Sequence, residues 1–502
     1  MSVDTNNAEF QDALNLIQYT RQSVFLTGKA GTGKSTFLRY VCENTKKKHV
    51  VLAPTGIAAI NAGGSTMHSF FKLPFYPLLP DDPNLSLQRG RIHEFFKYTK
   101  PHRKLLEQIE LVIIDEISMV RADIIDAIDR ILRVYSHNLR EPFGGKQLLL
   151  VGDVFQLEPV VKNDEREILN RFYPTPYFFS ARVFGQIDLV SIELQKVYRQ
   201  TDPVFVSVLD HIRTNTAGAA DLQLLNTRYG SQIEEAEADM YITLATRRDT
   251  VDSINEKKLA ELPGEPITFE GVIEGDFPES SLPTSQELVL KPGAQIIFIK
   301  NDFDRRWVNG TIGVIAGIDE EEETIYVITD DGKECDVKRD SWRNIRYRYN
   351  EKTKEIEEEV LGSFTQYPIR LAWAITVHKS QGLTFSRVVI DFTGGVFAGG
   401  QAYVALSRCT SLDGIQLKKP INRADVFVRP EIVNFAGRFN NRQAIDKALK
   451  QAQADVQYAA AARAFDKGDM EECLEQFFRA IHSRYDIEKP VPRRFIRRKL
   501  GV

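Results

Sequence analysis

The chain has 502 residues, 43% hydrophobic and 27% charged, with a formal net charge of −4. That length calls for three or four structural units, and that balance excludes a wholly disordered or fibrous chain. The near-neutral charge means that any nucleic-acid surface has to come from local clustering. Cys42, Cys335, Cys409 and Cys473 form no C-x-x-C pair, which argues against zinc and against a disulfide framework. No apolar run reaches the ~18 residues of a membrane span, and the N-terminal MSVDTNNAEF has no signal-peptide pattern, so a cytoplasmic or nucleoid location is expected.

Ser23 to Thr27 (SVFLT) reads as a buried strand, and Thr36 to Tyr40 can open a helix. Between them, Gly28, Lys29, Ala30, Gly31, Thr32, Gly33, Lys34 and Ser35 fit the phosphate-binding loop G-x-x-x-x-G-K-[ST]. The glycines let backbone N–H groups close around phosphate oxygens, and the helix N-terminus favours an anion. Lys34 would reach the β- and γ-phosphates, and Ser35 would ligate Mg²⁺. HVVLAPT (His49 to Thr55) is a second strand of an α/β sheet. Residues 72–105 then break the rhythm with Pro74, Pro77, Pro80 and Pro83. This irregular insertion ends in a basic, aromatic stretch from Arg89 to Lys104 that includes Phe95, Phe96, Lys97 and Tyr98.

The sheet resumes with LVIID (Leu111 to Asp115), followed by a helix with Ile124, Ile125, Ile128, Ile131 and Leu132 on one face. An acidic pair, Asp115 and Glu116, at the end of a parallel strand lies where such sheets bind ligands. Asp115 can hold Mg²⁺, and Glu116 can accept the proton of an attacking water. LLLVGD (Leu148 to Asp153) is a further strand. Gln156 just beyond it could bond a γ-phosphate or could simply be a polar turn residue. From about residue 186 a second α/β rhythm is expected, running through YITLAT (Tyr241 to Thr246). It carries Arg199 and Arg408, either of which could meet phosphoryl charge or form a surface ion pair. QIIFIK, GTIGVIAGI and TIYVITD read as a small inserted β-barrel. The last 80 or so residues are helix-rich, with Ala461 to Ile481 loosely like one helix-turn-helix repeat, and end in a basic cluster, Arg493 to Lys499.

GKAGTGKS, IIDE, GDVFQLEP, VYRQ, WAITVHKSQGLTF and YVALSRC occur in the order of superfamily 1 helicase motifs. APTGIAAINAGGSTMHSFF (Ala53 to Phe71) and the stretch after IIDEISMV resemble the Pif-type (petite integration frequency) branch, superfamily 1B. The resemblance covers about residues 8–415. It implies an α/β fold with two RecA-like domains, at 1–185 and at 186–300 plus 366–420. It also implies a wedge at 72–105, a Src-homology-3-like barrel at 301–365, and a helical extension at 421–502 outside the family core.

The resemblance further implies a motor that uses ATP and Mg²⁺ to travel 5′-to-3′ on single-stranded DNA. Its partners would be single strands and junctions of duplex, forked or quadruplex DNA, in repair, recombination or telomere maintenance. Gln11, at the spacing of the family's adenine-contacting glutamine, competes with Gln18 for that role. Gly28, Gly31, Thr32, Gly33, Lys34, Ser35 and Thr36 would hold the phosphates. Asp115, Glu116, Gln156, Arg199 and Arg408 would act in hydrolysis. Thr55, His68, Thr376, His378 and Lys379 would contact the strand, with the motor active as a monomer. A RecD-like helicase, an RNA helicase and a nucleic-acid-stimulated ATPase switch are the alternatives. No long N-terminal regulatory region is expected, which suggests a bacterial or phage core enzyme.

Overall fold

The structure is a computed structural model that describes residues 4, 6–87, 91–200, 202–230, 240–350, 352–353 and 355–483. The chain opens with α1 (Ala8–Tyr19), β1 (Val24–Gly28), α2 (Lys34–Asn44), β2 (His49–Ala53), α3 (Gly56–Ala62), β3 (Ser65–Thr66) and α4 (Met67–Phe71). It continues through β4 (Leu111–Ile114), β5 (Gln147–Val151) and β6 (Val190–Leu194) to close one parallel sheet of order β3-β2-β4-β5-β1-β6. Strands β1, β4 and β5 are buried along their whole length. Such strands need helices on both faces, which is why they read as unbroken apolar runs. The order β4-β5-β1 is what matters for function. It sets Asp115 after β4, Asp153 after β5 and Gly28 at the end of β1 along one sheet edge.

The second parallel sheet is smaller. Its order is Ala374–Thr376, β7 (Ile242–Ala245), Val388–Asp391 and Ile415–Leu417. Phe205, Leu209 and Ile212 of the helix Pro203–Arg213 pack in its core with Leu244, Ile390 and Leu406. The boundary expected at 185/186 therefore shifts. Strand β6 pairs with β1 from Val24↔Val190 to Gly28↔Leu194, so it completes the first sheet. Its VSIEL pattern fits a buried edge strand of either sheet, and only the pairing decides.

The β-rich region runs past the 301–365 bounds on both sides. A five-stranded antiparallel sheet takes in Gln295–Phe298, within the QIIFIK read as a barrel strand, and also Ile369–Leu371. A long hairpin, Asp340–Asn350 with Glu355–Gln366, pairs back to Val272–Gly275. Tyr347 and Tyr349 of that hairpin are buried in the core of the first sheet. In the 72–105 insertion, the rings of Phe96 and Tyr98 are turned inward. They are 2% and 3% exposed, inside that same core. Tyr98 donates to the Phe71 carbonyl, and the Phe96 carbonyl accepts from Tyr135 at 2.9 Å. Burying two rings under the proline-rich segment removes more apolar surface from water than exposing them would. Lys97, Lys100 and Arg103 remain exposed, while Arg89 lies outside the described residues. The extension is helical, with Pro430–Ala436, Arg442–Lys467 and Met470–Ser483. Ile445 and Ala448 seat it on the α1 side of the first sheet. The basic cluster 493–499 lies outside the described residues.

Candidate nucleotide seam and strand face

The loop after β1 is shaped by its glycines. Gly28, Gly31 and Gly33 have φ of 151°, 80° and 89°. A Cβ on Gly31 would sit 2.3 Å from the Arg199 side chain, and one on Gly28 would sit 2.5 Å from Thr32 Oγ1. Neither position admits a side chain, and the positive φ values favour glycine. Thr32 is buried and donates to the Lys29 carbonyl at 2.9 Å. Lys34 opens α2 and curls back to donate to the carbonyls of Gly28 at 2.7 Å and Lys29 at 2.9 Å. Burial holds its pKa down to about 8, with Asp153 and Glu116 pulling it up. Ser35 is exposed and Thr36 half-buried, in the first turn of α2. A positive helix end, backbone N–H groups and a lysine beside them suit the phosphates of a nucleotide.

Across the sheet edge, the N–H of Glu116 donates to Asp115 Oδ1 at 2.9 Å. Glu116 itself sits at φ 49°, a left-handed conformation that turns the chain sharply out of β4. Burial, then the neighbouring Asp115, pushes its carboxyl up to about 7. Burial also raises Asp115. A base poised near neutral pH is what proton abstraction from water calls for. The Ser35 hydroxyl and the Asp115 carboxylate are hard oxygen donors, a set that fits Mg²⁺ completed by phosphate and water oxygens.

The other wall of the seam comes from beyond β6. Arg199 was expected within the second α/β unit, but it lies on the crossing segment that leaves β6. The N–H of Tyr198 donates to the Gly31 carbonyl at 2.9 Å, so Arg199 packs directly on the loop. Its Nη1 donates to the Ser407 carbonyl at 3.3 Å, and burial lowers its pKa. The reason is topological: β6 flanks β1, so the chain leaving β6 must pass the loop that leaves β1.

Arg408 does belong to the second unit and is 2% exposed. It donates to the carbonyls of Val404 at 3.0 Å, Ser380 at 3.3 Å and Leu383 at 3.4 Å. Burial and then Arg199 hold it down to about 9, with Glu116 among the charges opposing them. Gln156 is buried, and its backbone presses on the second unit, where a Cβ on Gly400 would lie 2.3 Å from the Gln156 carbonyl.

Three further residues join this seam without having been singled out from sequence. Asp153 and Arg213 are 1% and 3% exposed and form an ion pair at 3.0 Å, while Arg213 also reaches Glu193 at 2.8 Å. Tyr403 Oη accepts the N–H of Ala30 at 2.9 Å. Lys29 pairs with Asp210 beside it. Asp153 stands after β5 as Asp115 stands after β4, so strand-end position was a usable signal. Tyr403 opens the motif YVALSRC, which was a signal of its own, whereas Arg213 had none, since it meets Asp153 only through the packing of the second sheet.

Gln11 lies in the first turns of α1, where the neighbouring Phe10 packs on Phe37 of α2 at 4.8 Å. The strand-contact candidates fall at the carboxyl ends of the two sheets. Thr55 caps α3, its Oγ1 accepting from Ala58 at 3.2 Å. His68 sits in α4. Thr376 ends its strand, with His378 and Lys379 following. Desolvation, then Arg370 and Arg248, press the Lys379 pKa down to about 8. The structure thus groups the phosphate-loop, acid and arginine candidates at one seam, leaves Gln11 on α1, and sets the strand candidates on two separate sheet ends.

A glycine loop with a lysine–serine pair, strand-end acids and an arginine wall across a seam define a P-loop nucleoside triphosphatase. The sequence model of the PIF1-like helicase family matches residues 5–214. The Pif1 ATP-dependent DNA helicase of Campylobacter jejuni is 33% identical over 412 residues, 79% of this chain and 88% of that protein. The human PIF1 helicase is also 33% identical, over 408 residues, but the chain spans only 58% of its length. Among solved structures, Bacteroides sp Pif1 in complex with ADP-AlF4 is 41% identical, covering 87% of this chain and 97% of that one, with a TM-score of 0.79. The ssDNA-bound Bacteroides Pif1, at the same 41% identity and covering 88% and 99%, superposes at 0.62. The chain belongs to the PIF1-like helicase family, and its two parallel sheets are RecA-like domains.

Proposed function

We propose that this chain is an ATP-dependent DNA helicase that travels 5′-to-3′ on single-stranded DNA and opens duplex, forked or quadruplex DNA. The observation that carries the reading is the seam. Loop, acids and arginines meet there from both RecA-like domains, so hydrolysis is tied to how the domains close. Gly28, Gly31, Thr32, Gly33, Lys34 and Thr36 cradle the phosphates, and Gln11 faces the adenine. Ser35 and Asp115 hold Mg²⁺, which supplies charge neutralisation when bound. Glu116 takes the proton of the attacking water. Arg199 and Arg408 meet charge on the transferring phosphoryl group, and Gln156 links phosphate loss to the second domain. Thr55, His68, Thr376, His378 and Lys379 grip the strand at phosphates and sugars, contacts that give affinity without sequence choice.

Polarity and the quadruplex substrate rest on the family resemblance. The fork substrate is supported by a solved structure, 40% identical to this chain, described as two coordinating Pif1 helicases at forked dsDNA. For this chain we propose a monomer as the active motor, working in the bacterial nucleoid. Among the described residues no helix is long and apolar enough to cross a membrane. The deciding experiment is strand separation on two duplexes that differ only in a 5′ or a 3′ single-stranded tail, with ATP and Mg²⁺. Opening of the 5′-tailed duplex alone is expected. Opening of the 3′-tailed duplex alone reverses the polarity, and hydrolysis without any opening replaces the helicase with a switch.

A further inference from the structure

The chain builds one strand-end device twice. In the first domain the outermost strand β3 ends at Thr66, and His68 follows two residues later. In the second domain the outermost strand ends at Thr376, and His378 follows two residues later. Thr66 Oγ1 accepts the N–H of Ser69 at 3.2 Å, and Thr376 Oγ1 accepts the N–H of Lys379 at 3.2 Å. The same Thr-x-His turn is therefore capped in the same way at the same corner of both sheets. The counterpart of Thr376 in the first domain is Thr66, because Thr55 caps a helix one strand further in.

Each histidine also carries a phenylalanine. The ring of Phe75 lies on His68 with centroids 5.0 Å apart and planes 9° from parallel. The ring of Phe397 lies beside His378 at 6.5 Å and 18°. These partners come from unlike places. Phe75 stands in the proline-rich insertion, and Phe397 in the loop after Val388–Asp391, where Gln401 Oε1 accepts its N–H at 3.0 Å. Local sequence similarity cannot explain why both corners acquire a flat ring against the imidazole. Both rings face solvent, at 84% and 61% exposure, in a chain that buries most of its phenylalanines. Desolvation lowers the pKa of both histidines, so each pair is a neutral aromatic step near pH 7.

We propose that Phe75 and Phe397 are base-stacking platforms, one on each RecA-like domain, each backed by its histidine and aligned by the Thr-x-His turn. The ligand class is the unpaired nucleobase of a single strand. A phenyl face stacks on any base, so the platforms add affinity without sequence preference. A step in which one domain holds while the other slides then has a matched handhold on each side. The inference rests on the single-strand reading above and deepens it.

The test uses the full chain with Phe75→Ala, Phe397→Ala and the ring-keeping Phe75→Trp and Phe397→Trp. Single-strand affinity is read by anisotropy of a labelled oligothymidine. Stacking is read by quenching of 2-aminopurine placed along the oligonucleotide, and ATP affinity is measured without DNA. Each alanine variant is expected to bind the strand about tenfold or more weakly. Quenching is lost at one position of the oligonucleotide, the tryptophan variants restore both readouts, and ATP affinity stays unchanged. Wild-type affinity and quenching in both alanine variants would overturn the platforms while leaving the helicase reading standing. Weaker binding with quenching intact would also overturn them. Failure of the wild-type chain to bind the oligonucleotide would sink the single-strand reading itself.

Discussion

The two RecA-like domains share a parallel sheet and an edge where ligands can gather, yet only the first carries the GKAGTGKS loop. In the first, β1 runs into Gly28–Gly33, whose positive φ values open a nest of N–H groups at the start of α2. In the second, β7 runs through Thr246 and Arg247 straight into the helix Arg248–Glu261, with no glycine and with Asp249 in the first turn. A carboxylate at a helix N-terminus occupies the place an anionic ligand would use. The second domain instead brings Arg408, Arg213 and Tyr403 to the seam. Sheet geometry alone does not make a phosphate site: the residues leaving the strand decide it. The strand face shows the reverse, since there both domains carry the same Thr-x-His corner.

The sharpest way to break that asymmetry is on the nucleotide side. Lys34→Ala removes the ammonium that folds back onto the loop carbonyls, and DNA-stimulated hydrolysis is expected to fall to background. Single-strand binding should survive, because the Thr-x-His corners lie away from Lys34. An ATPase assay paired with anisotropy checks both halves, and retained turnover would move the site elsewhere. On the arginine side, Arg199→Ala and Arg408→Ala should each lose about 10³–10⁵-fold in kcat, the usual worth of such a residue, with ATP still bound. They are distinguishable, because Arg199 rides with the loop whereas Arg408 moves with the second domain. A raised KM with normal kcat in either variant would contradict its role.

Glu116 gives the comparison a pH signature. Its carboxyl is pushed up to about 7, and the base form is the deprotonated one. Turnover should therefore rise with pH through about 7 and fall on the acid side as the carboxyl takes up its proton. Glu116→Gln should lose about 10²–10⁴-fold in kcat together with that acid limb. A wild-type profile flat from pH 6 to 8 would remove Glu116 as the base.

Sequence revealed the first domain better than the second for a physical reason. GKAGTGKS and IIDE are contiguous, and each acts through its own backbone turn, so their chemistry can be read locally. Asp153 lies within GDVFQLEP, but its partner Arg213 lies 60 residues away and meets it only when the two sheets pack. Strand β6 could not be assigned from VSIEL, because an apolar edge strand carries no mark of its partner. For Phe96 and Tyr98 composition leaves two readings open. Aromatic and basic residues together suit both a strand-facing surface and a core edge, and burial chose the core for the rings while leaving Lys97 outside. The two His–Phe pairs were half legible: the histidines through their motifs, and the rings only through space.

The closed seam can also be weakened without touching catalysis directly. Arg213→Ala leaves the buried Asp153 and the half-buried Glu193 without their cation, and a loss of about 3–5 kcal/mol in stability is expected. Thermal melting of the nucleotide-free chain reads it, and an unchanged melting profile would show that the pair bears no load.

Tyr403→Phe is the smallest change and the most discriminating. It keeps the ring, which is 3% exposed, and deletes only the oxygen that accepts the Ala30 N–H. A buried donor left without its acceptor costs about 1–3 kcal/mol. Lys29 and Asp210 also tie the loop to the second domain, but their side chains keep 23% and 31% of their exposure. Solvent screening holds such a pair to about 0–1 kcal/mol, so Asp210→Asn should cost less than Tyr403→Phe. If the order is reversed, with Asp210→Asn melting lower than Tyr403→Phe, the two domains are joined at the loop by charge rather than by the tyrosine. Arg408 would then reach the phosphates through a seam that loosens with salt, and hydrolysis would fall with ionic strength even without DNA.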